Sequence, residues 1–460
     1  MKYKVLLYRN KMITEEQQPQ GFLHWLKESV TVKLIFIGVL ILFLIIPSAL
    51  VDNLITERAA RQQETIKAVT DQYSGSQLVQ GPVLVIPYKA QVTEKDDKGK
   101  DVPAEVIQNL YILPNELYYK AKLNSEVRHR GIYEVSVYNS TVNVSGNFTR
   151  ADLNSLSLKA EQLLPEKATL IFSISDLKGL KTNPQVKISG QSVTAEPAVS
   201  NNLFENSLQV AVNLKGLIDN PIPFQFNLDL KGSQELSFLH LGKTTDVEVA
   251  GDWNSPSFDG RYLPDTSKID NKGFSAQWRM LYYNRPFPQQ WTEDNKLLAN
   301  EKKAANATFG VKLLMPVDQY QKTTRTSKYG ILIIMLTFIS LFLTELISKQ
   351  KIHVFNYILI GAAMIIYYTL LLSFSEQVGY NLAYLIASVA TIGLIATFLG
   401  SLLKNRKAAI IFTFILTLFY SFIYVIIQLE DLSLLIGSIA LFIIIAALMY
   451  SSRKINWDRH

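Results

Sequence analysis

The sequence predicts an integral membrane protein of the α+β class. It reads as an N-terminal transmembrane anchor helix, a large extracytoplasmic β-rich domain, and a C-terminal five-helix transmembrane bundle. Three observations carry this reading. Charged residues make up 18% of the 460 positions, against roughly 25% in soluble chains. Six apolar stretches, 32–50, 328–348, 353–374, 380–403, 408–428 and 432–450, each approach the roughly 20 residues a helix needs to cross a bilayer core, and only Lys33, Lys328 and Glu345 intrude on them, near span ends. Between the first and second stretch, residues 52–327 carry 31 basic and 31 acidic side chains and alternate apolar with polar residues. Zero Cys and thinly spread Gly and Pro exclude disulfide-stapled and fibrous classes.

Taken in order, residues 1–31 form a basic N-terminal segment and 32–50 the anchor. About 30 residues precede this 19-residue apolar run and no small-x-small cleavage site follows it, so an uncleaved anchor is expected rather than a signal peptide. The short loops set orientation, because Lys and Arg concentrate on the cytoplasmic side. One side holds Lys2, Lys4, Arg9, Lys11, Lys27, Lys349, Lys351, Lys404, Arg406, Lys407, Arg453, Lys454 and Arg459. The other side, at 375–379 and 429–431, shows Glu376, Glu430 and Asp431 without a cation. Both termini, including the tail 451–460, are therefore expected in the cytoplasm, and 52–327 in the periplasm, with Ser140 as an external labelling position.

Asn53 to Thr70 lacks Gly and Pro, so the anchor helix is expected to continue as a polar helix and to break at Tyr73-Ser74-Gly75-Ser76. The domain that follows alternates with period 2 at Leu208, Val210, Val212 and Leu214, and at Ile222, Phe224, Phe226, Leu228 and Leu230. Similar runs at 81–88, 132–138, 170–174 and 273–283 suggest antiparallel sheets packed as a sandwich, and the size of the domain admits two lobes. Asp176-Leu177-Lys178-Gly179, Asn213-Leu214-Lys215-Gly216 and Asp229-Leu230-Lys231-Gly232 share a signature. It fits either a duplication or the ordinary habit of strands to end in polar-Gly turns. Thr93 to Lys100 reads as a solvated hairpin tip.

Chemical motifs are scarce. Five scattered His without metal-ligand spacing supply no metal site. No phosphate-cradling or nucleophile-elbow motif occurs, and Ser175-x-x-Lys178 leaves an alternating strand rather than a helix, so no catalytic residue and no cofactor are assigned. The basic surplus lies beside the membrane spans, which removes nucleic acid as a partner. The spans carry no ionisable residue near their midplane, and Glu345 reads as an interfacial carboxylate near Lys349. Ala383, Ala387, Thr391, Ala396 and Gly400 form a small-residue face for helix packing that also allows a homo-oligomer.

Two patches stand out. Arg128, His129 and Arg130 form a basic edge that suits an anion or pairs with carboxylates. Arg261, Trp278, Arg279, Arg285 and Trp291 carry the residue types of binding hot spots, and equally those of a packed aromatic face or a belt on headgroups.

Several longer motifs then resemble the bacterial inner-membrane CreD family: Gly81-Pro82-Val83-Leu84-Val85-Ile86-Pro87-Tyr88, Arg128 to Val135, Leu263-Pro264-Asp265, Gly273 to Arg279, Asn284-Arg285-Pro286-Phe287-Pro288 and Phe309 through Tyr320. The likeness spans nearly the whole chain after the first 20 residues. Tyr73-Ser74-Gly75 departs from a Trp-Gly expected at that turn. The resemblance implies an inner-membrane protein tied to envelope integrity and to a stress regulon linked to cell-wall-active antibiotics, and it carries over no catalytic residue. The leading expectation is a non-enzymatic protein, embedded in the lipid bilayer, whose β domain binds a periplasmic protein, lipid or cell-wall component. A transporter or lipid-handling protein and a periplasmic membrane-anchored enzyme are the alternatives.

Overall fold

A computed structural model describes residues 30–95, 101–198, 203–217, 220–294, 296–315, 319–348, 350–403, 406–429 and 432–452. The helices are α1 (Val30–Tyr73), α2 (Glu301–Ala305), α3 (Gln319–Lys328), α4 (Gly330–Ser348), α5 (Val354–Val378), α6 (Tyr380–Leu402), α7 (Arg406–Gln428) and α8 (Ser433–Ser452). The chain divides into two compact units, Met1–Ala60 with Asp318–His460, and Arg61–Val317. The β unit is thus shorter at both ends than 52–327. At its start α1 runs on without interruption, and at its end Gln319–Lys328 folds as a helix that buries Tyr320, Thr323, Thr326 and Ser327 in the other unit.

In the helical unit, α1, α4, α5, α6 and α7 are long and apolar enough to cross a membrane, and α8 is a further apolar helix of 20 residues. Leu42, Phe43, Ile46 and Leu50 of α1 are exposed, as side chains bathed in lipid would be. Ion pairs fasten this helix at two levels. Lys33 pairs with Glu345 and donates to Ile352 O at 2.6 Å, while Tyr357 donates to the other Glu345 oxygen at 3.0 Å. Glu345 therefore belongs to Lys33, because α1 and α4 meet at that level. Arg58 lies 3.9 Å from Glu376, which also accepts from Tyr320 at 2.9 Å. Lys33 and Arg58 are 25 residues apart, about 37 Å along a helix, which brackets a bilayer core of about 30 Å. Midway, Leu44 fills the space a side chain at Gly361 would need. Ala383, Ala387 and Thr391 pack inside, whereas Gly400 is exposed, so only the first half of the small-residue face makes contacts. At Gly379 the chain turns from α5 into α6 with φ +79°, a conformation glycine adopts without strain.

The β unit is built from two sheets. The first orders β13 (Pro256–Gly260), β17 (Thr308–Leu313), β11 (Glu235–Leu239), β1 (Gln77–Lys95), β5 (Ala168–Ile174), β9 (Ser207–Val212) and β8 (Glu196–Pro197), with β2 (Asp101–Ile112) on β1 and β16 (Gln290–Thr292) on β2. The second orders β14 (Thr266–Asp270), β15 (Gly273–Leu281), β12 (Thr244–Gly251), β3 (Glu116–Arg130), β4 (Tyr133–Phe148), β10 (Ile222–Ser233), β6 (Gln185–Ile188) and β7 (Gln191–Thr194). The expected all-antiparallel pairing fails in two places: β1 pairs β11, and β3 pairs β12, in parallel. Parallel neighbours need long connections, and more than a hundred residues separate each pair. One core lies between the sheets rather than two lobes. Phe172 stacks on Phe226 at 4.5 Å, Tyr119 meets Phe238 at 5.0 Å, and Trp278 meets Phe309 at 5.6 Å, each pair with one ring from either sheet.

The repeated Asp/Asn-Leu-Lys-Gly signature has two different causes. Gly216 takes a turn with φ +77°. Gly179 and Gly232 do not; a β-carbon there would fall 2.1 Å from Gln77 Nε2 and 2.4 Å from the Tyr138 hydroxyl, so close packing selects them. Ser175 and Lys178 serve the chain itself: the Ser175 hydroxyl accepts from Leu78 N at 2.9 Å and Lys178 donates to Asp71 O at 3.0 Å. At Tyr73-Ser74-Gly75 the ring of Tyr73 faces Arg128 and Lys231, and Asp176 accepts from Ser74 Oγ and Gly75 N. Partial burial works against the Asp176 charge, but the Gly75 and Lys178 amides hold its carboxyl below the ordinary value. The β1–β2 ladder reaches Lys95 opposite Asp101, and the expected hairpin tip lies outside the described residues. Ser140 is buried, which disqualifies it as a labelling position.

Candidate functional site

The five residues expected to form one surface are split between core and solvent. Trp278 is 2% exposed, sits edge-on to Phe258 and donates to Tyr262 O at 3.1 Å. Trp291 stacks on Tyr111 at 5.2 Å and donates to Asp294 O. Arg285 is 7% exposed, and its guanidinium donates to Phe287 O, Leu241 O and Gln289 Oε1 and stands over the Tyr282 ring. All three acceptors are neutral. Gln289 in turn donates to Leu113 O and Pro114 O, so the Asn284-to-Pro288 motif ties three loops together. Burial lowers the Arg285 pKa to about 10, which leaves it charged at neutral pH. Beside it His240 is buried. Its Nε2–H donates to Leu281 O at 3.2 Å, so Nδ1 accepts from the Thr245 hydroxyl at 2.9 Å, and that oxygen accepts from Gly242 N. Burial, with Arg285 near, holds the His240 pKa at about 4, so the imidazole is neutral.

Only Arg261 and Arg279 of the five are exposed. Arg279 lies 3.7 Å from Asp246, and its backbone amide is capped by Asp265 at 2.8 Å, which accounts for the Leu263-Pro264-Asp265 motif. Around them Leu263, Ile269 and Tyr283 are exposed, and β14 is exposed along its length. At the other candidate edge His129 meets Glu134 at 3.1 Å and Arg128 lies 3.7 Å from Glu126; Gly131, at φ +64°, turns the hairpin after Arg130. Carboxylates thus stand beside two of these three side chains.

What the structure brings together instead is a row across the solvent face of the second sheet. Period 2 directs Leu117 and Tyr119 inward and Glu116, Tyr118 and Lys120 outward. Register then aligns Arg279, Asp246, Tyr118, Ser145, Gln225 and Lys187 on six successive strands. Tyr118, Ser145, Asn147, Lys187, Ser189 and Gln225 line an open hollow of about 370 Å³. Between Ser145 and Asn147 the chain carries Gly146, in register with the buried Leu117 and Phe224, where a β-carbon would stand 2.1 Å from Glu116 O and 2.7 Å from the Phe224 ring. Asn147 donates to Glu116 at 2.8 Å, which fixes the amide. Burial, with Glu116 and Asp246 near, raises the Tyr118 pKa, so its phenol stays neutral and both donates and accepts.

An exposed ring flanked by amides, hydroxyls and one ammonium suits a neutral or weakly anionic polyhydroxyl ligand. Among the described residues no three His, Asp or Glu gather as a metal site would require. These hollow-lining residues are not singled out by the sequence. The available signal was the outward register of four alternating strands, which needs the strand order to be read.

The comparisons with known proteins agree with this architecture. A family model described as "Inner membrane protein CreD" matches residues 29–458. The Inner membrane protein CreD of Escherichia coli (strain K12) is 28% identical over 419 residues, which covers 91% of each chain.

Proposed function

Because the chain belongs to the CreD family of inner membrane proteins, we propose that it maintains the cell envelope by holding a wall glycan on its β unit, without catalysis. In this reading both termini are cytoplasmic and Arg61–Val317 lies in the periplasm, as the distribution of Lys and Arg in the short loops favours. The observation that carries the reading is the Tyr118 hollow. A pyranose offers a face of C–H groups to an aromatic ring and a rim of hydroxyls to amides, and Tyr118, Asn147 and Gln225 supply both kinds of partner. The full-length protein in lipid nanodiscs is expected to co-sediment with isolated peptidoglycan sacculi. Tyr118→Ala with Gln225→Ala should weaken retention about tenfold or more, roughly 1.4 kcal/mol, since both side chains are exposed and their loss spares the core. Equal retention of the variant, or none of the wild type, refutes the assignment.

The exposed Leu263, Ile269 and Tyr283, with Arg261 and Arg279 beside them, favour a second reading in which the β14 edge receives a periplasmic protein. Orientation is testable in either case, because the chain has no Cys. Ser267→Cys, on the exposed β14, should react with an impermeant maleimide in spheroplasts, and Ser452→Cys only after lysis. The opposite pattern would invert the topology.

A further inference from the structure

The helical unit encloses hydroxyls that its own side chains leave unsatisfied. Tyr367 and Tyr368 of α5, Ser388 of α6 and Tyr420 of α7 are all more than nine-tenths buried, and none of their hydroxyls makes a hydrogen bond. They are neighbours. The Tyr367 ring stands 4.9 Å from those of Tyr368 and Tyr420 and 6.0 Å from that of Tyr384, all near perpendicular. Its hydroxyl faces Ser388 and the other phenols, and the Tyr384 hydroxyl donates to Tyr420 O at 2.7 Å. They also share a depth. Tyr367 is 11 residues from the end of α5, Ser388 eight from the start of α6 and Tyr420 eight from the end of α7, which places all three about 12–16 Å inside the same end of the bundle.

A buried hydroxyl without a partner costs more than the bond it fails to make, and in hydrocarbon nothing from the lipid repays it. One such group is a packing accident; four at one level, on three adjacent helices, define a common acceptor and donor. The occupant has to be small, since the rings are already in contact. It has to be uncharged, since the spans supply no ionisable group at that depth to neutralise an ion. It has to donate and accept at once, as the phenols do. We propose that Tyr367, Tyr368, Ser388 and Tyr420 form an internal hydration site, which holds water enclosed between α5, α6 and α7 in the middle of the membrane span.

Radiolytic footprinting of the full-length protein in nanodiscs tests this directly, because water bound beside a ring delivers its hydroxyl radical to that ring. Tyr367, Tyr384 and Tyr420 are expected to gain oxygen several-fold faster than Phe338 and Phe412, which are as deeply buried in the same unit. With exchange into ¹⁸O water, the heavy isotope should appear on the tyrosines. In parallel, Tyr367→Phe and Tyr420→Phe should each lower the melting temperature by about 2–4 °C. Background labelling at the tyrosines overturns the proposal whatever the variants do, since the hydroxyls would then bond one another. An unchanged or raised melting temperature in the Phe variants overturns it as well, because that is how dry, unpaired hydroxyls behave.

Discussion

Arg285→Ala is expected to destabilise the β unit by about 3 kcal/mol, while Arg279→Ala, only six residues earlier in the chain, stays within about 0.5 kcal/mol. The difference follows from burial. Removing the Arg285 side chain strips Leu241 O, Phe287 O and Gln289 Oε1 of their donor and opens a cavity under Tyr282. Arg279 keeps its backbone bond to Asp265 and loses only a solvated contact with Asp246. Arg285→Lys should recover little, because a single ammonium cannot span three acceptors set by a planar guanidinium. Denaturant unfolding followed by tryptophan fluorescence reads these shifts, since Trp253, Trp278 and Trp291 all pack in the unit's core. An Arg285→Ala protein that unfolds like the wild type would show that the loop knot holds itself together without the guanidinium.

The second large effect is expected at the Lys33–Glu345 pair, whose side chains are only 19% and 9% exposed. Lys33→Met or Glu345→Met each leaves the other charge without its partner, which should cost about 3–5 kcal/mol. Lys33→Met combined with Glu345→Met removes both charges and should return most of that loss. The pair is a fastening between α1 and the C-terminal helices, so the readout is the melting temperature of the helical unit in nanodiscs and a coupling energy from the four-protein cycle. Additive losses, with the double variant worst of all, would show that the two side chains do not act together.

The architecture was legible where periodicity is strong. Nineteen apolar residues from 32 to 50 and the run from Ile222 to Leu230 each admit one reading, and both appear as read, in α1 and β10. The parallel partners of β1 and β3 were not legible, because pairing at a distance of more than a hundred residues leaves no local trace. The candidate surface failed for a related reason. Trp278 and Met280 lie on the buried face of β15 and Arg279 on the open one; reading Trp and Arg together as one hot spot ignored that adjacent residues of a strand point in opposite directions. Tyr118 was overlooked since a single tyrosine on a strand carries no signal until Ser145, Gln225 and Lys187 are known to stand beside it. Within the spans, Tyr367, Tyr384 and Tyr420 were visible as tyrosines away from the interface, where aromatic belts normally sit.

The two parallel pairings also govern how the protein can be made. Gln77 at the start of β1 pairs with Leu236, and β11 is in turn flanked by β17, which ends at Leu313. At about 5–20 residues per second, a nascent chain emits β11 some 8–30 s after β1, and β17 later still. Through that interval β1 can form its hairpin with β2 and pair with β5, but Gln77 to Val79 stay unpaired on the side that β11 will take, and open edges recruit foreign strands. The nucleus of folding is therefore expected in the local hairpins β1–β2 and β3–β4, with the non-local parallel joins completed last. Only five residues lie between Leu313 and Gln319, the first residue of α3, so the sheet closes at almost the moment the chain is delivered back to the bilayer. Newly made chains, whose strands wait for their distant partners, are therefore expected to be more exposed to proteolysis than finished ones.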